Sequence, residues 1–237
     1  MGIGFAPLKA ESLKELFVKE IEAKIISGQL RPGDRLPPER ELASLMEISR
    51  SIVNSGILEL ESKGFVKVIP RKGTVIVDYK TEGTPSILSS IMNYNGGKLS
   101  PKLFNDMMET RLLIEVECAK CAAKNRTEDD LKAMEVLIDN AQQQVDTNSY
   151  VEFNYNFHHR VTIASGNTVY AMIFKSFEPV CKNLIRIYFE SGDYYKQSLD
   201  LHLELYKAIK EKQSDDAVEA MKKILLEGRS KLEPLAT

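Results

Sequence analysis

The chain has 237 residues, near the length at which a single hydrophobic core stops growing and a chain divides into two domains. A composition of 43% hydrophobic and 28% charged residues is typical of a folded globular protein and excludes wholesale disorder. Three cysteines cannot form an even disulfide framework, and no apolar run is long enough to cross a membrane. Residues 1–12 also lack a basic start followed by an apolar stretch, so we expect no secretory signal and a cytoplasmic protein.

The net charge of −2 is unevenly distributed along the chain. Residues 1–80 hold 13 Lys and Arg against 11 Asp and Glu, a net charge of +2, whereas residues 81–237 hold 19 against 23, a net charge of −4. The bulk charge therefore does not exclude nucleic acid as a partner. Because the basic excess is small, DNA affinity would depend on a few placed residues and on dimerisation.

Residues 1–80 predict three short helices followed by a β-hairpin. Residues 12–27 place apolar side chains at helical spacing, a short helix follows Pro38, and Ser49 is a suitable N-cap for a third helix that Gly64 ends. Two β-branched runs, 65–69 and 74–77, flank turn residues and predict the hairpin. This order of elements is typical of a winged helix-turn-helix domain.

The rest of the chain predicts an all-α antiparallel bundle. Residues 81–100 are rich in turn formers and predict a linker with one short helix around residues 87–92. Residues 101–237 predict six helices joined by short loops, with a kink at Pro179 in the fourth; their approximate bounds are 101–125, 128–146, 150–165, 168–191, 193–212 and 215–231. Capping boxes at Thr127 and Ser149 set two of the starts. The fold class is therefore mainly α.

The N-terminal third resembles the GntR family of bacterial transcription regulators over about residues 12–78. The resemblance rests on GQLRPGDRLPPERELA at residues 28–43, ISRS at 48–51 and RKGT at 71–74, in order and at the family's spacing. It implies a homodimer that binds a near-palindromic double-stranded DNA operator, because two-fold symmetry in the protein mirrors that of the site.

Seven residues are expected to contact DNA. Arg50 can bind guanine or clasp a phosphate at the start of the recognition helix, and Ser49 and Ser51 can donate to phosphates. The resemblance adds Arg40 on the preceding helix. Asn54 stands where the family commonly has Arg; it can read adenine but cannot neutralise a phosphate, so the operator sequence is expected to differ. At the wing tip, the resemblance places Lys72 and Gly73 in the minor groove.

The helical part resembles the FadR-type, or FCD, effector-binding domain over about residues 100–232. The match rests on NYNFH at 154–158, ASGN at 164–167, DLH at 200–202 and AMKKI at 220–224. Many such domains hold a divalent metal with an Asp and three His. Laid on this chain, the pattern gives Asn154, His158, His202 and Ile224, so only two imidazoles remain.

No cofactor is therefore certain, and weak binding of Zn²⁺ or Ni²⁺ by His158, His202 and Asn154 is the remaining metal hypothesis. The alternative is that these groups line a polar pocket together with Ile224 and Arg111. Arg111 can bind an effector carboxylate inside the bundle or pair with Glu115 one helical turn later. The effector class expected is a carboxylate or acyl metabolite.

Three functions stay open at this point. The leading hypothesis is a transcription regulator whose operator affinity a small-molecule effector controls. A second is a helical metalloenzyme in which His158 and His202 hold a catalytic ion, and a third is a DNA-binding protein that no ligand regulates. Phosphate-binding and nucleophile motifs are absent from the sequence, so we expect no enzymatic activity.

Overall fold

The computed structural model describes residues 11–236, which form two compact units, one up to Tyr94 and the other from Asn95 onward. Residues 1–10, on which the expectation of no secretory signal partly rests, lie outside the described residues. Within residues 11–236, none of the helices has the length and apolar character needed to span a membrane. The mainly α fold predicted from the sequence is confirmed.

The first unit contains a helix-turn-helix and a two-stranded wing. Its elements are α1 (Leu13–Ile26), α2 (Glu39–Leu45), α3 (Arg50–Lys63), β1 (Val66–Ile69), β2 (Gly73–Ile76), α4 (Tyr79–Glu82) and α5 (Ile87–Tyr94). Helix α1 begins with a capping box between Ser12 and Glu15. Helix α3 ends at Gly64, whose positive φ of 86° favours glycine. Strands β1 and β2 pair antiparallel with Val66 opposite Ile76, as the hairpin prediction requires.

Close packing between α1 and α3 positions the recognition helix. Both helices contribute to one apolar core, whose most deeply buried members include Phe17, Ile21, Val53, Ile57, Leu60 and Phe65. Gly56 lies at the contact: a Cβ at this position would be 2.3 Å from Cδ1 of Phe17. A glycine inside α3 costs helix propensity, but it allows the two helices to approach each other.

The second unit is a bundle of seven helices between Pro101 and Leu232. They are α6 (Pro101–Asn125), α7 (Glu128–Gln143), α8 (Thr147–Ala164), α9 (Thr168–Ser176), α10 (Glu178–Glu190), α11 (Tyr195–Lys210) and α12 (Ser214–Leu232). The long helix α6 packs against α8, α11 and α12, and α8 also packs against α7 and α10. This arrangement surrounds the inward faces of α6, α8, α11 and α12 with apolar side chains.

Two predicted helix boundaries were wrong. The helix expected over 168–191 is two helices, because α9 ends at Ser176 and α10 begins at Glu178. Pro179 occupies the first turn of α10, where its missing N–H breaks no helical hydrogen bond, so it starts a helix and does not kink one. Helix α8 begins at Thr147 and not near residue 150, since Asp146 accepts from the backbone N–H of Ser149 and caps the helix in place of the expected box.

Candidate DNA-binding surface and effector cavity

The N-terminus of α3 presents three exposed polar residues, Ser49, Arg50 and Ser51. Oγ of Ser49 accepts from the backbone N–H of Ile52 at 3.3 Å, which fixes the start of the helix, and Oγ of Ser51 lies 2.9 Å from Oγ of Ser49. The first turn of a helix carries free N–H groups and a partial positive charge. The arrangement can therefore bind a phosphate while the Arg50 side chain extends to a base edge.

The two arginines of this surface differ from several lysines of the first unit in having no ion-pair partner. Among the described residues, Lys14, Lys24 and Lys63 make ion pairs with glutamates at 2.8 to 2.9 Å. Arg40 and Arg50 are exposed and make no ion pair with any described residue. Their guanidinium groups are consequently free to bind an external anion.

Asn54 is exposed one turn after Arg50 and has one partner in the preceding helix. Its Nδ2 donates to Oε1 of Glu39 at 3.3 Å, a long and solvent-exposed hydrogen bond. Because such a bond exchanges easily with water, the amide can turn toward an adenine edge at little cost. Glu39 also places a negative charge beside Asn54, which disfavours a phosphate at this position.

The wing tip has the backbone geometry needed for a tight turn. Arg71 and Gly73 have positive φ values of 66° and 86°, and the N–H of Lys72 donates to the carbonyl of Ile69 at 3.0 Å. Arg71, Lys72 and Gly73 are all exposed. The base of the wing is held to the turn before α2, since the N–H of Leu36 donates to the carbonyl of Thr74 at 2.9 Å. The wing therefore presents two cations on a supported hairpin.

The second unit encloses a cavity of about 60 Å³ between α6, α8, α10, α11 and α12. All five residues expected from the sequence at the effector pocket, Arg111, Asn154, His158, His202 and Ile224, contribute to its wall. The other lining residues are Met108, Ile185, Tyr188, Ser198, Leu201, Leu225, Glu227, Gly228 and Leu232. The fold therefore brings together the residues that the FCD resemblance implied.

A buried chain of charges runs along one side of the cavity. Nε of Arg111 donates to Oε1 of Glu115 at 2.6 Å, and Nδ1 of His158 hydrogen-bonds Oε2 of the same carboxylate. Burial alone raises the pKa of Glu115, but the charges of Arg111 and His158 outweigh it and lower that pKa to about 2. Glu115 is therefore a carboxylate with both oxygens occupied. Arg111 meets both expectations at once, since it pairs with Glu115 and lines the cavity.

The two histidines meet inside the cavity wall. Nε2 of His158 lies 3.3 Å from Nε2 of His202, and Nδ1 of His202 lies 2.7 Å from the carbonyl of Ser198. Burial, followed by the charge of His158, lowers the pKa of His202 to about 3, so His202 is neutral and its Nε2 carries a lone pair. Because Glu115 is ionised, Nδ1 of His158 donates to its Oε2.

The donor set does not fit a tightly bound divalent metal. Asn154 is an uncharged ligand that is held by two hydrogen bonds, because Nδ2 donates to the carbonyl of Tyr150 at 3.0 Å and Oδ1 accepts from Ser198 at 3.2 Å. Ile224 has no lone pair to offer, and Glu115 is occupied. Across the described residues, no three His, Cys, Asp or Glu side chains are grouped in a way that could hold a metal ion. Two imidazoles alone give an incomplete set of ligands.

Sequence reasoning missed three polar residues of the cavity: Tyr188, Ser198 and Glu227. Ser198 precedes His202 by four residues and Glu227 follows Ile224 by three, so each shares a helix face with a residue of the expected metal pattern. This helical spacing is the sequence signal that could have identified them. Tyr188 belongs to α10, which no motif had connected with the pocket.

Comparison with known proteins gives the class. The chain matches the bacterial regulatory proteins of the gntR family over residues 13–76 and the FCD domain over residues 106–227. It therefore belongs to the GntR transcription regulators that combine a DNA-binding winged helix-turn-helix with an effector-binding FCD domain.

Similar proteins agree with this class. One relative is the fatty acid metabolism regulator protein of Shewanella denitrificans, 28% identical over 189 residues that cover 80% of this chain and 77% of the relative. The structure of Lar, which controls the agr system of Listeria monocytogenes, shares the fold with a TM-score of 0.67 and 18% identity over 96% of this chain and 100% of that one. A GntR structure from Streptococcus agalactiae has 25% identity and a TM-score of 0.50 over 92% and 100% of the two chains.

Proposed function

We propose that this regulator is a cytoplasmic homodimer without enzymatic activity, and that a small carboxylate metabolite controls its affinity for a near-palindromic operator. The DNA contacts would come from Arg40, Ser49, Arg50, Ser51 and Asn54, together with Lys72 and Gly73 at the wing. The exposed and unpaired guanidinium groups of Arg40 and Arg50 support this assignment.

The observation that carries the choice of effector is the pair of unused Nη groups that Arg111 presents at the cavity. Nε of Arg111 and Nδ1 of His158 occupy the two oxygens of Glu115. The Nη groups of Arg111 make no hydrogen bond to any described residue and are therefore available to a ligand. A carboxylate can accept from both Nη groups, and such a two-bond contact with arginine is strong at a buried site.

The size of the cavity favours a small effector and suggests how it acts. A volume of about 60 Å³ holds about two water molecules. Ligand pockets usually have about 300 Å³ or more, so even a short carboxylate must move the lining helices apart. The effector would thus select an expanded form of the bundle, and different affinities for the two forms are what regulation requires.

A fatty acyl effector is the second candidate, because two similar proteins, from Shewanella denitrificans and Shewanella amazonensis, are fatty acid metabolism regulators. The apolar lining residues Leu201, Leu225 and Leu232 could contact an alkyl chain. An acyl thioester would need a much larger expansion of the cavity than a short carboxylate. The two candidates are therefore separated by chain length in the same binding experiment.

For the dimer, we propose a surface formed by α6 and α9, here called the α6–α9 face: Leu112, Leu113, Ile114, Val116, Val169, Tyr170 and Met172. Leu113 is 77% exposed and Met172 is 67% exposed, although most residues of α9 are apolar. A groove of about 520 Å³ runs along Leu112, Leu113 and Tyr170. A second copy is the expected occupant, since a near-palindromic operator requires a two-fold axis. Light scattering should give a dimer for the wild type and a monomer for Leu113→Glu.

The effector proposal is tested with Arg111→Lys, which keeps the positive charge beside Glu115 but removes the Nη groups. We expect short carboxylates to raise the melting temperature of the wild type and to change its operator affinity, with about 10-fold or greater weakening in the variant. Arg186→Lys is the matched control, because Arg186 lies on α10, outside the cavity wall, and donates to Asn148 at 2.8 Å. A full response in Arg111→Lys would refute the assignment.

The remaining functions have their own outcomes in this experiment. A protein that binds operator but responds to no carboxylate or acyl thioester would be a constitutive DNA binder. Stoichiometric metal together with turnover of generic esters or phosphoesters would support the metalloenzyme. Preferential stabilisation by long acyl thioesters over short carboxylates would favour the fatty acyl candidate.

A further inference from the structure

One acidic group of the cavity wall has no role in the carboxylate site. Glu227 lies on α12, three residues after Ile224, and lines the same cavity as Arg111. Its Oε1 is buried and has no hydrogen-bond partner, while Oε2 accepts from Oγ of Ser230 at 3.4 Å. A buried carboxylate oxygen without a partner is costly, and such groups in native structures call for an explanation.

The other polar groups of the wall are already used. Asn154, Ser198, His158 and His202 spend their donors and acceptors on one another, on Glu115 and on backbone carbonyls. The groups left over at the cavity are the Nη groups of Arg111 and Oε1 of Glu227. Burial, followed by the charge of Glu227 and a hydrogen bond to its carboxylate, raises the pKa of Tyr188, so the phenol stays protonated beside Glu227 and is not counted among them.

Two unused groups of opposite charge therefore face one small cavity. Arg111 and Glu227 make no ion pair with each other, so the gap between them is not closed by the protein. The wall between them includes apolar side chains such as Ile185 and Leu225. Electrostatic complementarity calls for a ligand with an anion at one end, a cationic donor at the other and a short apolar stem.

We propose that the effector is an amino carboxylate, whose carboxylate binds the Nη groups of Arg111 and whose ammonium group donates to Oε1 of Glu227. This inference rests on the proposed function and names the ligand class of the same site. It assigns Glu227 as the residue that discriminates amino carboxylates from simple carboxylates. The discrimination arises because an ammonium group satisfies Oε1, whereas a methyl group in its place leaves that oxygen desolvated and unpaired.

The experiment compares matched pairs of probes by calorimetry. Butanoate, pentanoate and hexanoate, which carry a methyl group in place of the ammonium group, are measured against 3-aminopropanoate, 4-aminobutanoate and 5-aminopentanoate on wild type, Glu227→Gln and Glu219→Gln. Glu219 is the control because it is an exposed glutamate of α12 that pairs with Lys222 at 2.8 Å, outside this cavity. At one chain length at least, the amino probe should bind the wild type about 10- to 100-fold more tightly than its partner.

In Glu227→Gln this ratio should fall to near one, and in Glu219→Gln it should be unchanged. Simple carboxylates that bind as tightly as amino carboxylates, in an Arg111-dependent manner, would overturn the inference and leave the proposed function standing. A ratio that survives in Glu227→Gln would also overturn it. Binding of neither series, at any length, would overturn the carboxylate proposal together with this one.

Discussion

The two units use their charged residues in opposite ways. In the first, Arg40 and Arg50 are exposed and unpaired, and each can be changed without disturbing a buried neighbour. In the second, Arg111, Glu115 and His158 are buried and linked by hydrogen bonds, so that removing any one of them takes a charged or hydrogen-bonding partner from another. DNA affinity can therefore be altered by changing one exposed residue at a time. A change in the buried charges of the second unit, by contrast, should alter ligand recognition and stability together.

The largest effect is expected for Arg111→Ala. Loss of the guanidinium leaves the fully buried Glu115 with only His158 as charge partner, and breaking a buried ion pair costs about 3–5 kcal/mol. Denaturant unfolding of this variant should show that loss, while Arg50→Ala on the exposed face should stay within about 0.5 kcal/mol of wild type. Equal stability of the two variants would contradict the difference between buried and exposed charges in the two units.

The pH dependence of stability sharpens the same contrast. The pKa of Glu115 is about 2, below its usual 4.5, so its contribution is complete above pH 4.5 and is lost as the pH falls toward 2. The slope from this one group reaches about 1.4 kcal/mol per pH unit. Its more exposed counterpart is Glu59 in the first unit, a half-buried residue whose pKa is lowered by hydrogen bonds from Lys14 and Lys63.

The dependence of the free energy of unfolding on pH between pH 6 and 3 should therefore be weaker in Glu115→Gln than in the wild type. It should change little in Glu59→Gln, because solvent screens this partly exposed pair. If Glu115→Gln is too unstable for such curves, an NMR titration of the Glu115 carboxyl in the wild type reports the same pKa. A carboxyl that titrates near 4.5 would show that the buried chain does not hold Glu115 ionised.

Arg50→Ala should weaken operator binding by about 1–3 kcal/mol, or about 10- to 100-fold, at fixed salt concentration. Arg40→Ala should act in the same direction by a smaller factor, since a phosphate contact positions the protein without reading sequence. Lys24→Ala is the control, because Lys24 already pairs with Glu20 on α1 at 2.9 Å. Gel-shift titrations measure the operator affinity of each variant. Wild-type affinity in both arginine variants would mean that another element enters the groove.

The sequence predicted the first unit well because its signals are local. Ser49 and Gly64 bound α3 through capping chemistry, and the hairpin follows from β-branched runs around Gly73. The bundle was harder to predict, since its contacts join residues far apart in the chain. The pairing of Arg111 with Glu115 follows from helical spacing, but that of Glu115 with His158 depends on how α6 packs against α8. The position of Glu227 at the cavity is tertiary information of the same kind.

The smallest effect is expected from metal removal, and it tests whether the histidines act as a hydrogen-bonded pair. With both oxygens of Glu115 occupied, His158 and His202 offer two imidazole ligands, and a metal must displace the contact between their Nε2 atoms. Dialysis against EDTA should leave the melting temperature unchanged, and excess Zn²⁺ or Ni²⁺ should raise it slightly in the wild type and in His159→Gln but not in His202→Gln. His159 is a suitable control because its ring stacks on Phe174 and does not line the cavity. Stoichiometric metal whose removal lowers the melting temperature would mean that additional donors join the two imidazoles, and would contradict the hydrogen-bonded pair.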